Sequence, residues 1–252
     1  HKEFTLRAAS AGKHVWCEKP MAMDAAESQD MIDACQRNKV KLSIGYRMQH
    51  EPNTQRVMGF ARDRPWGDLR SLQADAGFHA FDDAAGQDIW RLDPARGGGA
   101  MYDMGVYSLN AARYTSGEEP VAVTARKSVQ RPHIFTQVDE SMEFDLELPS
   151  GLLAKCSTSF GKNMNLLRAE AERGWYELSP FQAYSGIRGR TSDGLVLDAR
   201  VAHQQALQMD NDARSIIDGT PMRVPGEEGL RDMRVVDAIF RSVAEGRRVA
   251  ID

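Results

Sequence analysis

Apolar positions along the first fifty residues switch between a helical and a strand-like period. Phe4, Ala8 and Ala11 recur at helical spacing over residues 2–11, with Gly12 placed as a carboxyl-terminal cap. His14-Val15-Trp16-Cys17-Glu18 is a β-branched and aromatic run that stops at Lys19-Pro20, and it reads as a buried strand ended by proline. Asp24 followed by Glu27 resembles a capping box, opening a helix with Met31, Ile32 and Cys35 on one face. Residues 40–46 are a second strand. This order is the rhythm of a parallel sheet covered by helices. Two strands alone would leave both edges and one face bare, so the unit is too short to stand by itself.

Beyond residue 50 the pattern changes. A helix through Val57 and Phe60 leads to Gly67 and a strand over 69–78. Residues 80–96 lack a period and read as a loop holding Trp90 and Arg91. Gly97-Gly98-Gly99 precedes Asp103, where a helix starts that runs to Tyr114 and stops at Gly117. Strands follow at 121–129 and 141–148, where Met142, Phe144, Leu146 and Leu148 alternate, and a Pro-Ser-Gly turn leads into 152–160. Further strands are expected at 166–171, 175–178 and 194–201, with closing helices at 203–218 and 227–245. Alternating strands joined by turns indicate an antiparallel sheet.

Bulk composition narrows the class without changing it. The 252 residues are 42% hydrophobic and 27% charged, an ordinary globular balance, and the net charge of −4 argues against nucleic acid or an anionic membrane as partner. No apolar run reaches the roughly eighteen residues of a membrane span. Cys17, Cys35 and Cys156 are odd in number and widely spaced, which predicts neither a disulfide framework nor a zinc site. The histidines form no ligand spacing, so no metal is expected. A reducing, cytoplasmic location is the default, with a periplasmic one left open. The chain opens mid-helix without Met, and an amino-terminal segment carrying any targeting signal is expected ahead of His1.

Candidate chemistry concentrates at two places. Lys19 sits where the first strand becomes loop, the edge at which open α/β sheets bind ligands. The alternative for Glu18-Lys19-Pro20 is a surface ion pair at a strand end. Asp103 and Tyr107 are four apart at a helix start, so their side chains lie one above the other, the carboxylate facing the positive end of the dipole. A phenol made acidic by the Lys19 ammonium would exchange protons with a hydroxyl while a hydride leaves its carbon. The three glycines would let backbone approach the ligand. The alternative here is an acidic cap and a core tyrosine. Trp90-Arg91 could stack on or clamp a planar or anionic group, or simply pack. Arg47 lies past the second strand, on the ligand edge or as a solvated loop arginine, and His79 follows a strand that could line the cleft.

Taken together, residues 11–20, Ile44-Gly45-Tyr46-Arg47, Trp90-Arg91, residues 97–107, Gly117-Glu118-Glu119-Pro120 and Pro225-Gly226-Glu227-Glu228-Gly229 resemble one family. It is the glucose-fructose oxidoreductase / inositol dehydrogenase / rhizopine-catabolism (Gfo/Idh/MocA) family of nicotinamide-dependent dehydrogenases. The resemblance implies an α/β plus α+β fold: an incomplete Rossmann-type parallel sheet, then a domain with a large open-faced, mostly antiparallel sheet flanked by helices. Residues 1–48 would be the carboxyl-terminal remnant of the dinucleotide-binding domain. Residues 49–252 would form the substrate-binding and oligomerisation domain, with the open face packing on a second copy in a homodimer or homotetramer. It further implies Lys19, Asp103 and Tyr107 as catalytic residues that also meet substrate; His79 is a further substrate candidate from its place after a strand, the alternative being a core or surface histidine. Glu18, Lys19, Pro20, Arg47, Trp90 and Arg91 would approach NADP or NAD, and the bond before Pro20 would often be cis. Tyrosine at 107, where many relatives carry histidine, is similar to the branch holding glucose-fructose oxidoreductase, xylose dehydrogenases and dihydrodiol dehydrogenase.

Two departures qualify the resemblance. Relatives carry roughly a hundred residues ahead of the position of His1, including the G-x-G-x-x-G pyrophosphate loop, so this polypeptide is expected to bind the cofactor poorly. Residues 160–192, with Arg168, Glu170, Glu172, Arg173, Arg188 and Arg190, do not follow glucose-fructose oxidoreductase, so the sugar is left open. The expected activity is hydride transfer between nicotinamide and a sugar or polyol carbon. The alternative is an inactive sugar-binding or oligomerisation domain; in either case the apolar surface that helices 2–11 and 24–38 leave bare over two strands would be hidden by another subunit or cause aggregation.

Overall fold

The computed structural model describes residues 1–251. Strands β1 (Val15–Cys17) and β2 (Leu42–Ile44) pair in parallel, and helix α1 (Lys2–Ser10) packs on β1 and on α2 (Ala25–Arg37). The Asp24 side chain accepts from Glu27 N at 2.7 Å, fixing the start of α2 as its spacing predicts. Helix α1 turns a different stripe inward from the one its apolar residues suggest. Thr5 and Ala9 are buried, whereas Phe4 is 68% exposed, with the Arg7 guanidinium over its ring. The stripe is set by what α2 and β1 cover, not by the largest side chain.

After a 3₁₀ turn at Arg47–His50 and helix α3 (Pro52–Asp63), the chain builds a nine-stranded sheet. Its strands are β3 (Leu69–Gly77), β4 (Ala122–Ser128), β5 (Ser141–Glu147), β6 (Leu153–Ser159), β7 (Met164–Ala171), β8 (Gly174–Leu178), β9 (Gly189–Thr191), β10 (Val196–Leu197) and β11 (Val249–Ala250). They lie in the order β10-β9-β8-β7-β3-β6-β5-β4-β11, and only β3 and β6 are parallel neighbours. The β5–β6 hairpin pairs Phe144 with Cys156, and Met142, Phe144 and Leu146 all point into the core. Two features escaped the sequence pattern. The strand expected over 194–201 shrinks to β10, and β9 and β11 were not foreseen, because strands of two or three residues are specified by the neighbour they pair with.

One sheet face is covered by helix α4 (Val106–Ser116), every residue of which is buried. Helices α3 and α6 (Gly226–Glu245) pack on α4, and α6 also meets β4. The opposite face is polar: Arg168 bonds Glu170 and Glu177, and the Trp175 ring lies 4.2 Å from the Arg168 guanidinium. The short parallel pair is not left bare either. Ile44 N donates to Val224 O at 2.9 Å, Ser43 on β2 donates to Asp212 on α5 (Gln204–Ile217) at 2.6 Å, and α2 packs on α6. The carboxyl-terminal helices thus cover β2, all of whose residues are buried. Among the described residues no helix is long and apolar enough to cross a membrane.

A buried ion cluster ties α4 to α6. Arg113 bonds Asp232 at 2.5 Å and Glu228 at 3.1 Å, while Asn110 and Gln49 donate to the same carboxylates. Burial outweighs the pull of Arg113 and pushes Asp232 up to about 6. At Glu228 burial acts the same way, but Arg113 and Arg231 prevail and hold it at about 2. The folded-state value of Asp232 lies above the ordinary carboxylate value, so the native state binds more protons than the unfolded chain between about pH 4 and 6. Its contribution to stability therefore falls as pH rises through that window. Urea denaturation at pH 4, 5, 6 and 7 should show this decline in the wild type relative to Asp232→Asn; parallel pH profiles would refute it.

Candidate active site

Lys19 leaves the end of β1 and points across the molecule. Its Nζ donates to the Asp103 carbonyl at 2.6 Å and approaches Asp103 Oδ1 at 3.4 Å, with only 11% of the side chain exposed. Glu18 does not pair with the lysine side chain; its Oε2 accepts from Lys19 N at 3.2 Å. The surface ion pair considered from the sequence is therefore absent, and the amine is committed to a residue 84 positions away. The Lys19–Pro20 bond is cis.

Asp103 lies inside the helical run, not at its cap. A π-helical turn, Met101–Gly105, precedes α4 and carries it. The Asp103 carboxylate is 9% exposed and receives Arg91 Nε on Oδ2 at 2.7 Å, opposite Lys19. The glycines explain how Arg91 gets there. A Cβ on Gly98 would sit 2.7 Å from the carbonyl oxygens of both Arg91 and Asp93, so only glycine lets that loop cross the helix start. Gly99, at φ +106°, leaves room for Asp139, whose Oδ2 accepts from Met101 N at 2.7 Å and so caps the run from a distance. The Arg91–Asp93 backbone thus fills the space beside Gly98, while Gly97 borders the cleft that the site residues share.

Tyr107, on the first turn of α4, completes the group. Lys19 Nζ stands 4.5 Å from the centre of its ring. Arg47 Nη1 donates to the Tyr107 hydroxyl oxygen at 3.0 Å, and its Nη2 donates to Gln182 Oε1 at 2.9 Å. Arg47 is not a solvated loop residue: it is 3% exposed, with the Tyr184 ring 4.3 Å from its guanidinium. A guanidinium only donates, so the Tyr107 oxygen accepts from it and the phenol hydrogen is turned elsewhere.

These groups line one cleft of about 750 Å³, which also receives Glu18, Pro20, Trp90, Arg96, Tyr102, Phe78, Gln182 and Tyr184. Eight of the nine residues singled out from the sequence meet there: Glu18, Lys19, Pro20, Arg47, Trp90, Arg91, Asp103 and Tyr107. His79 does not line the cleft. Its ring contacts Gly161 O and the Asp82 carboxylate and borders a separate small pocket, because β3 ends at Gly77 and the chain then turns away. Asp139, Gln182 and Tyr184 went unnoticed in the sequence. No motif marks them, and each acquires its role from a contact with a distant residue.

Trp90, 41% exposed and stacked 4.3 Å from the Arg91 guanidinium, gives the cleft a flat aromatic wall beside the cations Arg96 and Lys2. A planar ring fits that wall, so the residues present suit a nicotinamide ring, while Arg96 and Lys2 are themselves paired with Asp93 and Asp30. No G-x-G-x-x-G occurs among the 252 residues.

The chain is 40% identical to a solved structure of aldose-aldose oxidoreductase from Caulobacter crescentus complexed with glycerol, with a TM-score of 0.91, covering 99% of this chain and 76% of that one. The chain belongs to the GFO/IDH/MocA oxidoreductase family. Profiles of that family match residues 1–46 (NAD-binding Rossmann fold), 55–176 (GFO/IDH/MocA C-terminal domain) and 182–251 (C-terminal alpha/beta domain). Among curated proteins it is similar to D-xylose 1-dehydrogenase [NADP(+)] of Haloarcula marismortui, 24% identical over all of this chain and 72% of that protein. Inositol 2-dehydrogenase of Rhizobium meliloti is 26% identical, over all of this chain and 77% of its own length.

The helix start should be intolerant of a single methyl group. In Gly99→Ala the new Cβ would fall 2.3 Å from Asp139 Oδ1, at a positive φ that side chains avoid. Loss of roughly 1–3 kcal/mol is expected in urea denaturation, and an unchanged midpoint would show that the cap tolerates displacement.

Proposed function

We propose that this chain moves a hydride between a nicotinamide and the CH–OH carbon of a sugar or polyol, with Tyr107 exchanging the hydroxyl proton. Membership of a nicotinamide-dependent oxidoreductase family supplies the reaction class. The observation that carries the assignment is the convergence of Lys19, Asp103 and Tyr107 in one cleft. The 40% identity to the aldose-aldose oxidoreductase favours an aldose as substrate.

The residues divide the work by their hydrogen-bonding capacity. An ammonium has three N–H groups, and Asp103 engages Lys19 through its carbonyl and its carboxylate. What remains of that capacity is aimed at a substrate oxygen. Asp103, braced by Arg91, keeps the amine in place and balances its charge. Arg47 occupies one side of the Tyr107 oxygen, so its proton transfer is directed into the cleft. A nicotinamide bound there supplies or accepts the hydride.

Tyr107→Phe removes the proton-transfer atom and keeps the ring that Lys19 faces. With NADP or NAD supplied well above the micromolar range, kcat should fall by about 10²–10⁴-fold with KM for the sugar little changed. A variant within threefold of wild type would remove Tyr107 from the chemistry.

Cofactor affinity gives a separate test. As a 252-residue polypeptide without a G-x-G-x-x-G loop, the chain should bind the nicotinamide end without a cradle for the pyrophosphate. Calorimetric titration with NADP or NAD should show no saturation in the micromolar range; saturation there would mean that other residues hold the phosphates.

A further inference from the structure

The loop between β8 and β9 carries a polar group whose orientation is settled by its partner and whose second function is unused. Asn165 on β7 pins this loop: its Oδ1 accepts from Phe181 N and Gln182 N, both at 2.9 Å, and its Nδ2 donates to Gln182 O. With the backbone held, the Gln182 side chain reaches Arg47, whose Nη2 donates to Oε1. A guanidinium has no acceptor, so the amide cannot be turned the other way and its NH₂ must face away from Arg47. That NH₂ has no acceptor among the described residues, and Gln182 lines the cleft. Beside it stands Tyr184, 69% exposed, its ring over the Arg47 guanidinium at 4.3 Å.

We propose that Gln182 is a substrate-positioning, specificity-determining residue, its Nε2 donating to a hydroxyl oxygen of the sugar, with the Tyr184 ring as the adjoining wall. The inference rests on the reading of this cleft as a sugar site. It assigns the choice of sugar to a segment outside the Lys19–Asp103–Tyr107 group. A donor fixed by Arg47 favours a sugar whose hydroxyl sits at one position, and disfavours an epimer that leaves the N–H₂ unpaired.

The test is calorimetric titration of the wild-type chain and two variants with D-glucose, D-xylose and myo-inositol, with NADP supplied well above the micromolar range, alongside turnover of the same sugars under that condition. Gln182→Leu removes both the donor and the partner of Arg47. Gln182→Glu removes the donor while keeping, and strengthening by its charge, the acceptor for Arg47. Both variants should lose on the order of tenfold in affinity for the preferred sugar and should narrow its lead over the others. If Gln182→Glu matches wild type while Gln182→Leu weakens, the residue merely seats Arg47 and the proposal fails. If both variants keep wild-type affinities and order, it fails while the sugar reading stands. If the wild-type chain binds none of the three in the titration, the sugar reading fails and takes the proposal with it.

Discussion

Everything in the cleft depends on one long-range contact, the Lys19 amine on the Asp103 carbonyl and carboxylate. It joins the end of a short parallel strand to the start of the central helix. Both side chains are about nine-tenths buried, so each charge has lost much of its water and needs the other. Arg91 adds a second cation to the same carboxylate, on the oxygen opposite Lys19. Removing the carboxylate would leave two cations facing one another over a partly dry cleft.

The scaffold under this contact is built around close approach. Helix α4 is buried on all sides, so it can hold Tyr107 at a fixed height above the sheet. Its amino-terminal extension is brought into register by devices that involve no ligand. Asp139 caps it from the loop before β5, and the Gly98–Gly99 backbone admits the Arg91–Asp93 loop. Farther along α4, Arg113 anchors the helix to α6 through two buried carboxylates. Tyr46, which precedes Arg47, lies in the same neighbourhood: the Asp232 carboxylate acts on its hydroxyl. The turn that carries Arg47 is thereby tied to α6, and Gln49 of the same turn donates to Asn110 on α4 at 3.0 Å.

Local signals were strong where a residue's role is set by near neighbours. The capping of α2 by Asp24, the β5–β6 hairpin and the buried alternation Met142-Phe144-Leu146 follow from spacing alone. Signals failed where a distant neighbour decides. Phe4 is the largest apolar residue of α1, yet it points outward, because α2 and β1 cover the opposite stripe. His79 stands two residues beyond a strand that reaches the cleft, and the turn after Gly77 carries it to Asp82 instead. The strands β9 and β11 are too short to announce themselves, and exist because β8 and β4 offer open edges.

The sequence by itself determined the order of the elements, the two stretches that hold Lys19 and the Asp103–Tyr107 pair, and the resemblance those stretches carry. Only the tertiary structure decided that these stretches share a cleft, that Arg47 is a buried donor to Tyr107, and that Asp139, Gln182 and Tyr184 belong to the same assembly. The division has a physical origin. Helix and strand periods are written in residues a few positions apart, whereas the direction of a donor and the burial of a charge depend on atoms brought in from elsewhere along the chain.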